Sequence, residues 1–305
     1  MQRGYAGPSF LAAPDPTARI PTSKTTRKIP ATISRARAGA LPFCISVTAW
    51  VDLLGYGSMI ADAELNPIDP RAKEAIMRLR TFHRIVAEHS GRYYRTLVMN
   101  DGAVAYRDLS LRDNGVTHDF LQRSQQLFVA ISKSESRNEW PGARMFVSLG
   151  FRARGSRRAI DTTERRVNLI LSKLSAGEMA AEEAVRQAAS IQRYSDGIPQ
   201  LQANFAFTRS FVADSVGSRA GLGGPHLFVD TAMFDEGIAP KWVTCGPAIP
   251  FQHEGLAIDC SFVPIAGLSN PGKIDQLIPG LRDGLEIGEA IAPTIQLRKL
   301  LRTSR

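Results

Sequence analysis

Apolar residues dominate one short stretch near residue 50, which is the clearest prediction of a buried β-strand in the chain. Residues 43–52 are mainly apolar along their length, as in a strand covered on both faces. The run ends at Asp52, and Gly55 and Gly57 follow it closely. Glycines keep such a turn small and leave its backbone N–H groups uncovered. The pattern therefore predicts a buried strand, a tight turn and the start of a helix.

Two longer stretches have the periodicity of amphipathic helices. Asp69 and Pro70 are typical N-cap and first helical residues, and apolar side chains recur on one face after them. A second helix is predicted over about 116–134. The apolar positions are Ala72, Ala75, Ile76, Leu79, Phe82 and Val86 in the first helix, and Phe120, Leu121, Leu127, Phe128 and Ile131 in the second.

A hairpin is predicted between these helices, because Asn100-Asp101-Gly102 separates two short β-type runs. Residues 143–152 predict a further strand. The order is then strand, helix, hairpin, helix, strand, which is the βαββαβ split unit of ferredoxin-like domains. We therefore predict an α+β fold with a ferredoxin-like core. In that core the first strand lies beside the hairpin, so Asp52 and Asp101 would face each other.

The remainder of the chain is predicted to elaborate this core. Residues 155–196 are charged and helical in character, and we interpret them as an insertion with solvated helices. An amphipathic helix is predicted over 200–216 and a short strand over 226–230. Residues 236–305 are predicted to form a C-terminal extension that packs on the domain and ends in a helix.

Charge is concentrated at the two ends of the chain. The net charge is +9, yet residues 1–42 alone hold seven basic residues against one acidic residue, and the last eight residues hold four more basic residues. The body of the chain is thus close to neutral. A basic surface for nucleic acid should lie on the folded body, so we expect no nucleic-acid partner.

Composition narrows the cellular setting. Hydrophobic residues make up 44% of 305 residues, enough for a sizeable core, and no apolar run is long enough to span a membrane. Residues 1–42 are predicted to be a disordered basic leader, with a transit peptide or an over-extended start as alternatives. The cysteines are odd in number, lack metal-type spacing and follow no signal peptide. We therefore expect a reduced, cytoplasmic protein.

The chemistry suggested by the first strand is that of a bound phosphate. A carboxylate beside an N–H-lined turn at a helix start suits a phosphate that carries a divalent metal. The alternative is structural, because Asp and Gly are ordinary turn residues and Asp52 could simply cap the helix.

The order and spacing of these motifs resemble the catalytic domain of class III nucleotidyl cyclases. The matching segments are Val51-Asp52-Leu53-Leu54-Gly55-Tyr56, Met99-Asn100-Asp101-Gly102 in a hairpin 49 residues later, Arg144-Met-Phe-Val-Ser-Leu-Gly150, Asn204-Phe-Ala-Phe-Thr-Arg209 and His226-Leu-Phe-Val229. The resemblance covers roughly residues 43–235, which would form the catalytic domain.

The resemblance implies roles for particular residues. Asp52 and Asp101, with the Leu53 carbonyl, would bind two Mg²⁺ or Mn²⁺ ions in each active site. Backbone N–H groups from Leu54 through Gly57 would hold the phosphates, with Tyr56 near the base or ribose. In the family the site forms between two chains, so a homodimer is expected. Asn204 and Arg209 would then act from the other chain.

Two departures from the family pattern bear on substrate and activity. Leu97 stands where purine cyclases carry a Lys, and Tyr56 where they usually carry a Phe. The missing Lys argues against ordinary purine recognition. Within the family, the chain resembles in character the pyrimidine (uridylate and cytidylate) cyclases of Pycsar anti-phage systems. Thr208 occupies the position of the transition-state Arg, and Arg209 lies one residue further, about 100° around a helix.

The function implied is conversion of a nucleoside triphosphate, UTP or CTP, to its 3′,5′-cyclic monophosphate and pyrophosphate. Two other functions stay open. One is a catalytically impaired, cyclase-like module that binds a nucleotide or a protein, which the displaced Arg209 favours. The other is a metal-dependent hydrolase or nucleotidyl transferase of another palm-type fold, which would release linear products.

Removal of residues 1–42 is expected to leave the melting temperature and the association state unchanged, because a disordered leader contributes no packed contacts. Thermal melting and gel filtration of the truncated chain measure this. A large loss of stability would show that the leader belongs to the domain.

Overall fold

A mixed β-sheet with helices on both faces runs through the chain. The computed structural model describes residues 41–153, 162–190, 201, 203–272 and 277–303. The strands are β1 (Phe43–Leu53), β2 (Arg95–Met99), β3 (Gly102–Asp108), β4 (Ala143–Ala153), β5 (Leu227–Asp230), β6 (Val243–Cys245), β7 (Ile249–His253) and β8 (Ile258–Leu268). The helices are α1 (Tyr56–Asp62), α2 (Pro70–His89), α3 (Gly115–Arg137), α4 (Thr162–Ser175), α5 (Ala181–Ser190), α6 (Phe205–Val216), α7 (Gly284–Ile291) and α8 (Ile295–Arg302).

The first four strands form the predicted split unit. The sheet order is β2-β3-β1-β4-β5-β8-β6, with β7 also paired to β8. Strand β1 is antiparallel to both of its neighbours, β3 and β4, and the β2–β3 hairpin closes with Met99 opposite Gly102. With α2 before the hairpin and α3 after it, this is the ferredoxin-like βαββαβ arrangement. The predicted α+β fold class is therefore confirmed.

Strand β1 is buried on both faces, as its apolar run predicted. Alternate residues such as Val47, Val51 and Leu53 lie in the main core with the apolar faces of α2 and α3. The intervening residues contact α6. The Thr48 hydroxyl lies 3.3 Å from that of Ser210, and Trp50 makes edge-to-face contacts with aromatic rings of α6. The strand thus ends inside the protein, with Asp52 as its last residue but one.

The predicted start of α2 is confirmed, but the predicted start of α6 is wrong. Asp69 caps α2, and its carboxylate accepts a hydrogen bond from the Arg71 N–H, as predicted. The helix predicted over 200–216 instead has Asn204 as its N-cap, because the Asn204 side chain accepts hydrogen bonds from two N–H groups of the first turn. Asn204 and Arg209 therefore do not share one helical face.

The C-terminal residues belong to the same sheet. Strand β8 pairs with β5, and α7 packs against β1 and β4 with Leu285 and Ile287 fully buried. Helices α4 and α5 lie within the predicted insertion. The rest of that insertion (155–161 and 191–196), and residues 1–40 of the predicted leader, lie outside the described residues. Leu41 is packed in the main core, so the folded part of the chain begins before the predicted boundary at residue 42.

Two features considered from composition were membrane-spanning helices and the state of the cysteines. Among the described residues, no helix has both the length and the apolar character needed to cross a membrane. All three cysteines are free and half-buried thiols, and burial raises the pKa of Cys260 to about 12. A thiol of this kind is inert at neutral pH.

Helix α6 approaches β4 so closely that only glycine fits between them. A Cβ atom on Gly150 would lie 2.3 Å from the backbone N of Ala206. We predict that Gly150→Ala lowers the free energy of unfolding by about 1–3 kcal/mol, because backbone must move to relieve the overlap. Denaturant unfolding measures this. Gly267→Ala in β8 is the matched control, since no atom lies within 4 Å of its Cβ position.

Candidate active site

The fold brings the two predicted carboxylates together. Asp52 lies opposite Gly102 in the β1–β3 ladder, and the Leu53 N–H donates to the Asp101 carbonyl at 3.1 Å. Asp101 is at the tip of the two-residue hairpin turn, where Asn100 has a φ of 57°. Asn readily adopts this left-handed conformation. The turn chemistry of Asn-Asp-Gly thus places a carboxylate beside the end of β1.

The surroundings of Asp52 disfavour the ionised form of its carboxyl group and so raise its pKa. Its pKa is raised from 3.8 to about 7, mainly by burial and in addition by the charges of Asp214 and Asp101. Arg144 and Arg78 act in the opposite direction but do not cancel the effect. Near neutral pH the site therefore holds a proton that a bound cation could replace.

Asp214 of α6 is a third carboxylate near this site, and it was missed in the sequence. Its oxygens accept hydrogen bonds from the Trp50 indole N–H at 3.0 Å and from Arg144 Nε at 2.7 Å. Arg144, directly opposite Asp52 on β4, also donates to the Asp214 carbonyl at 2.8 Å. A signal existed, because an acidic residue in the last turn of a helix opposes the helix dipole.

The glycine turn ends β1 and begins α1. The N-cap of α1 is Gly55, with a φ of 73° and no side-chain hydrogen bond to the helix. The structural interpretation of Asp52 as the helix cap is therefore wrong. Because the first N–H groups of a helix have no intrahelical partner, Tyr56, Gly57 and Ser58 present donors at this end of α1. These donors suit an anion.

A cavity of about 460 Å³ adjoins the turn and the hairpin tip. Its size lies in the range of small-ligand sites. Tyr56 contributes to the wall but is itself buried, with burial and the Asp101 charge raising the pKa of its hydroxyl. The lining residues are Tyr56, Gly57, Ile60, Ala61, Glu64, Leu65, Asn100 and Asp101.

A buried ion pair lies behind the turn. Arg78 of α2 is fully buried, and its Nη2 is 2.6 Å from Glu135 Oε2 of α3. The same nitrogen donates to the Leu54 carbonyl at 2.9 Å. Arg78 lies on the same apolar face of α2 as Ala75 and Phe82. A charged residue at such a position could have been recognised in the sequence as a buried charge.

Asn204 and Arg209 lie away from the carboxylates of their own chain. The Asn204 amide donates to Ser46 Oγ at 3.2 Å, and Ser46 is six residues before Asp52 on β1, or about 20 Å along an extended strand. Arg209 Nη1 is 2.8 Å from Oδ2 of the buried Asp230. Within one chain these two side chains are committed to internal partners.

In the part of the chain that the structure describes, Asp52 and Asp101 do not belong to a larger group of metal-binding side chains. Over the described ranges, no group of three or more His, Cys, Asp or Glu side chains is arranged to hold a metal ion. Asp52, Asp101 and the Leu53 carbonyl would have to share their ions with substrate oxygens or water, which is how Mg²⁺ is usually held.

Comparison with known proteins finds only distant structural similarity. No protein-family model and no curated protein matches the chain. Among solved structures, it is similar to the guanylyl cyclase Cya2, with 12% identity, a TM-score of 0.43 and coverage of 81% of this chain and 100% of that one. It is also similar to the adenylyl cyclase CyaB from P. aeruginosa, with 9% identity, a TM-score of 0.38 and coverage of 77% and 97%. Similarity at this level does not establish an activity for this chain.

Asp52→Asn is predicted to stabilise the metal-free protein at pH 8 and to change its stability little at pH 4. An acid whose pKa is raised on folding binds a proton in the folded state that the unfolded chain releases. Unfolding free energy therefore falls as pH rises from about 4 to 7, by about 1.4 kcal/mol for each pH unit between the two pKa values.

Denaturant unfolding of both proteins at pH 4 and pH 8, with chelator present, measures this difference. Asp259→Asn in the exposed part of β8 is the control. Equal stability of wild type and Asp52→Asn at pH 8 would contradict the electrostatic description of the site.

Proposed function

We propose that the chain is a nucleotidyl cyclase that converts a nucleoside triphosphate to its 3′,5′-cyclic monophosphate and pyrophosphate. The observation that carries the proposal is the approach of Asp52 and Asp101 beside the N–H groups that begin α1. Carboxylates suit divalent cations, and the N–H groups suit phosphates. A triphosphate with its metals is the ligand that requires both.

The donor set fits Mg²⁺ or Mn²⁺. Asp52, Asp101 and the Leu53 carbonyl offer hard oxygen ligands, which these ions prefer. Burial and the nearby charges of Asp214 and Asp101 raise the pKa of Asp52, and a bound cation would favour its ionised form. Bound there, two such ions would acidify the attacking hydroxyl and neutralise the leaving pyrophosphate.

The chain itself would bind and orient the substrate. The N–H groups of Gly55, Tyr56 and Gly57 would hold the β- and γ-phosphates. The Leu54 N–H, expected to join them, donates instead to the Gly142 carbonyl at 2.9 Å. The ribose 3′-oxygen then bonds to the α-phosphorus as the bond from that phosphorus to the bridging oxygen of pyrophosphate breaks. The hydroxyl proton leaves to solvent.

A pyrimidine triphosphate, UTP or CTP, is the substrate we propose. Leu97 on β2, opposite Val104, offers no hydrogen bond at the position where purine cyclases carry a Lys. By the same resemblance the product would be a second messenger of antiviral defence, made in the cytoplasm.

A homodimer is part of the proposal. Asn204 is about 20 Å along β1 from Asp52, so it would reach a substrate only from a second chain. Arg209 would likewise have to act from the partner. Both side chains would exchange internal hydrogen bonds for substrate contacts in doing so.

A second candidate is a module that binds a nucleotide or a protein without turnover. The ion pair of Arg209 with the buried Asp230 favours it, because a guanidinium bound to Asp230 is not free to stabilise the transition state. A palm-type hydrolase or transferase uses the same two acids and differs in its linear products.

Incubation of the purified protein with ATP, GTP, CTP and UTP separately, with Mn²⁺, tests the proposal. We predict a cyclic monophosphate by mass spectrometry, from UTP or CTP. Asp101→Ala should abolish turnover and leave the fold intact, because it removes one of the two metal-binding acids. Asp259→Ala is the control and should retain activity.

Other outcomes are equally informative. Bound nucleotide without any product would support the binding module, and linear products would support the hydrolase or transferase. Full activity of Asp101→Ala would contradict the assignment of the metal site.

A further inference from the structure

The buried arginine behind the glycine turn is not explained by the stability of the core. Arg78 exposes none of its surface, and its Nε donates to both oxygens of the nearly buried Glu135 at 3.3 and 3.1 Å. Removing two charges from water is costly, and packed apolar side chains often stabilise as well as a buried ion pair. The pair therefore suggests a role beyond holding α2 against α3.

Arg78 makes its other contacts with the backbone of the site. Its Nη2 donates to the carbonyls of Leu54 at 2.9 Å and Gly142 at 3.1 Å, and its Nη1 lies 3.5 Å from the sulfur of Met59 in α1. The Leu54 N–H in turn donates to the Gly142 carbonyl at 2.9 Å. One guanidinium thus joins the ends of β1 and β4 to the first turn of α1.

This anchoring determines where the donors of the turn point. A peptide group is planar and trans, so its C=O and the following N–H point in opposite directions. The Leu54 carbonyl is directed inward to Arg78, and the Gly55 N–H is therefore directed away from that interior. The left-handed φ of Gly55 then starts α1.

We propose that Arg78, held by Glu135, is a positioning residue for phosphate binding, which orients the peptide of Leu54 so that the N–H groups of the turn face the triphosphate. The inference rests on the proposed function. It adds that the affinity for the phosphate chain depends on a side chain that does not itself contact the substrate.

The test uses tripolyphosphate with Mn²⁺ as the probe, because this ligand reports on the phosphate site without any base or turnover. Two variants are compared with wild type by calorimetric titration. The double variant Arg78→Met/Glu135→Leu removes both charges together and leaves no unpaired ion. Arg78→Lys keeps the charge but lacks the planar fork that reaches several acceptors at once.

Both variants are expected to bind tripolyphosphate at least tenfold more weakly than wild type. Binding of Mn²⁺ alone should change less than twofold, because Asp52 and Asp101 remain. Arg152→Met is the control, since Arg152 pairs with Asp108 near the opposite end of β1. In turnover assays, KM should rise more than kcat falls.

Tripolyphosphate affinity that equals wild type in either variant would overturn the proposal. So would a parallel loss of Mn²⁺ and tripolyphosphate binding that follows the melting temperature, which a merely structural role would produce. If the double variant does not fold, Arg78→Lys and Glu135→Gln decide by the same criteria. A wild type that binds the probe but forms no cyclic product would contradict the cyclase proposal alone.

Discussion

The burial of β1 on both faces is the constraint on which the rest of the candidate site depends. The strand is hydrogen-bonded to β3 and β4 at its edges, packed on α2 and α3 on one face and covered by α6 on the other. A carboxylate at the end of such a strand has little water to solvate its charge. Asp52 therefore depends on neighbouring charges, and the fold supplies them from four separate segments.

Those charges act on the site in two ways. Arg144 and Asp214 adjust the electrostatic environment of the Asp52 side chain, because they lie on the face of the sheet that Asp52 shares with α6. Arg78 acts chiefly on backbone, through the carbonyl of Leu54. Side-chain charge and peptide orientation are thus set by different partners, which would allow metal affinity and phosphate affinity to vary independently.

The same helix that covers β1 also bears on the choice between an enzyme and a binding module. Its C-terminal turn brings Asp214 to the candidate site, while its N-cap Asn204 and its Arg209 are held on internal partners away from Asp52. A single chain therefore contains the acids and the turn but not the expected transition-state contacts. Turnover would require that a second chain complete the site.

The sequence alone determined the ferredoxin-like order of elements and the meeting of Asp52 with Asp101, because both follow from local signals: an apolar run, helical periodicity and the Asn-Asp-Gly turn. It placed the start of α6 too early, since the Asn204 cap depends on a hydrogen-bond choice that periodicity does not reveal. Only the tertiary structure decided that Asp214, Arg144, Arg78 and Glu135 surround the site. These residues are distant from Asp52 in sequence, and long-range packing, which no local pattern encodes, brings their charges together.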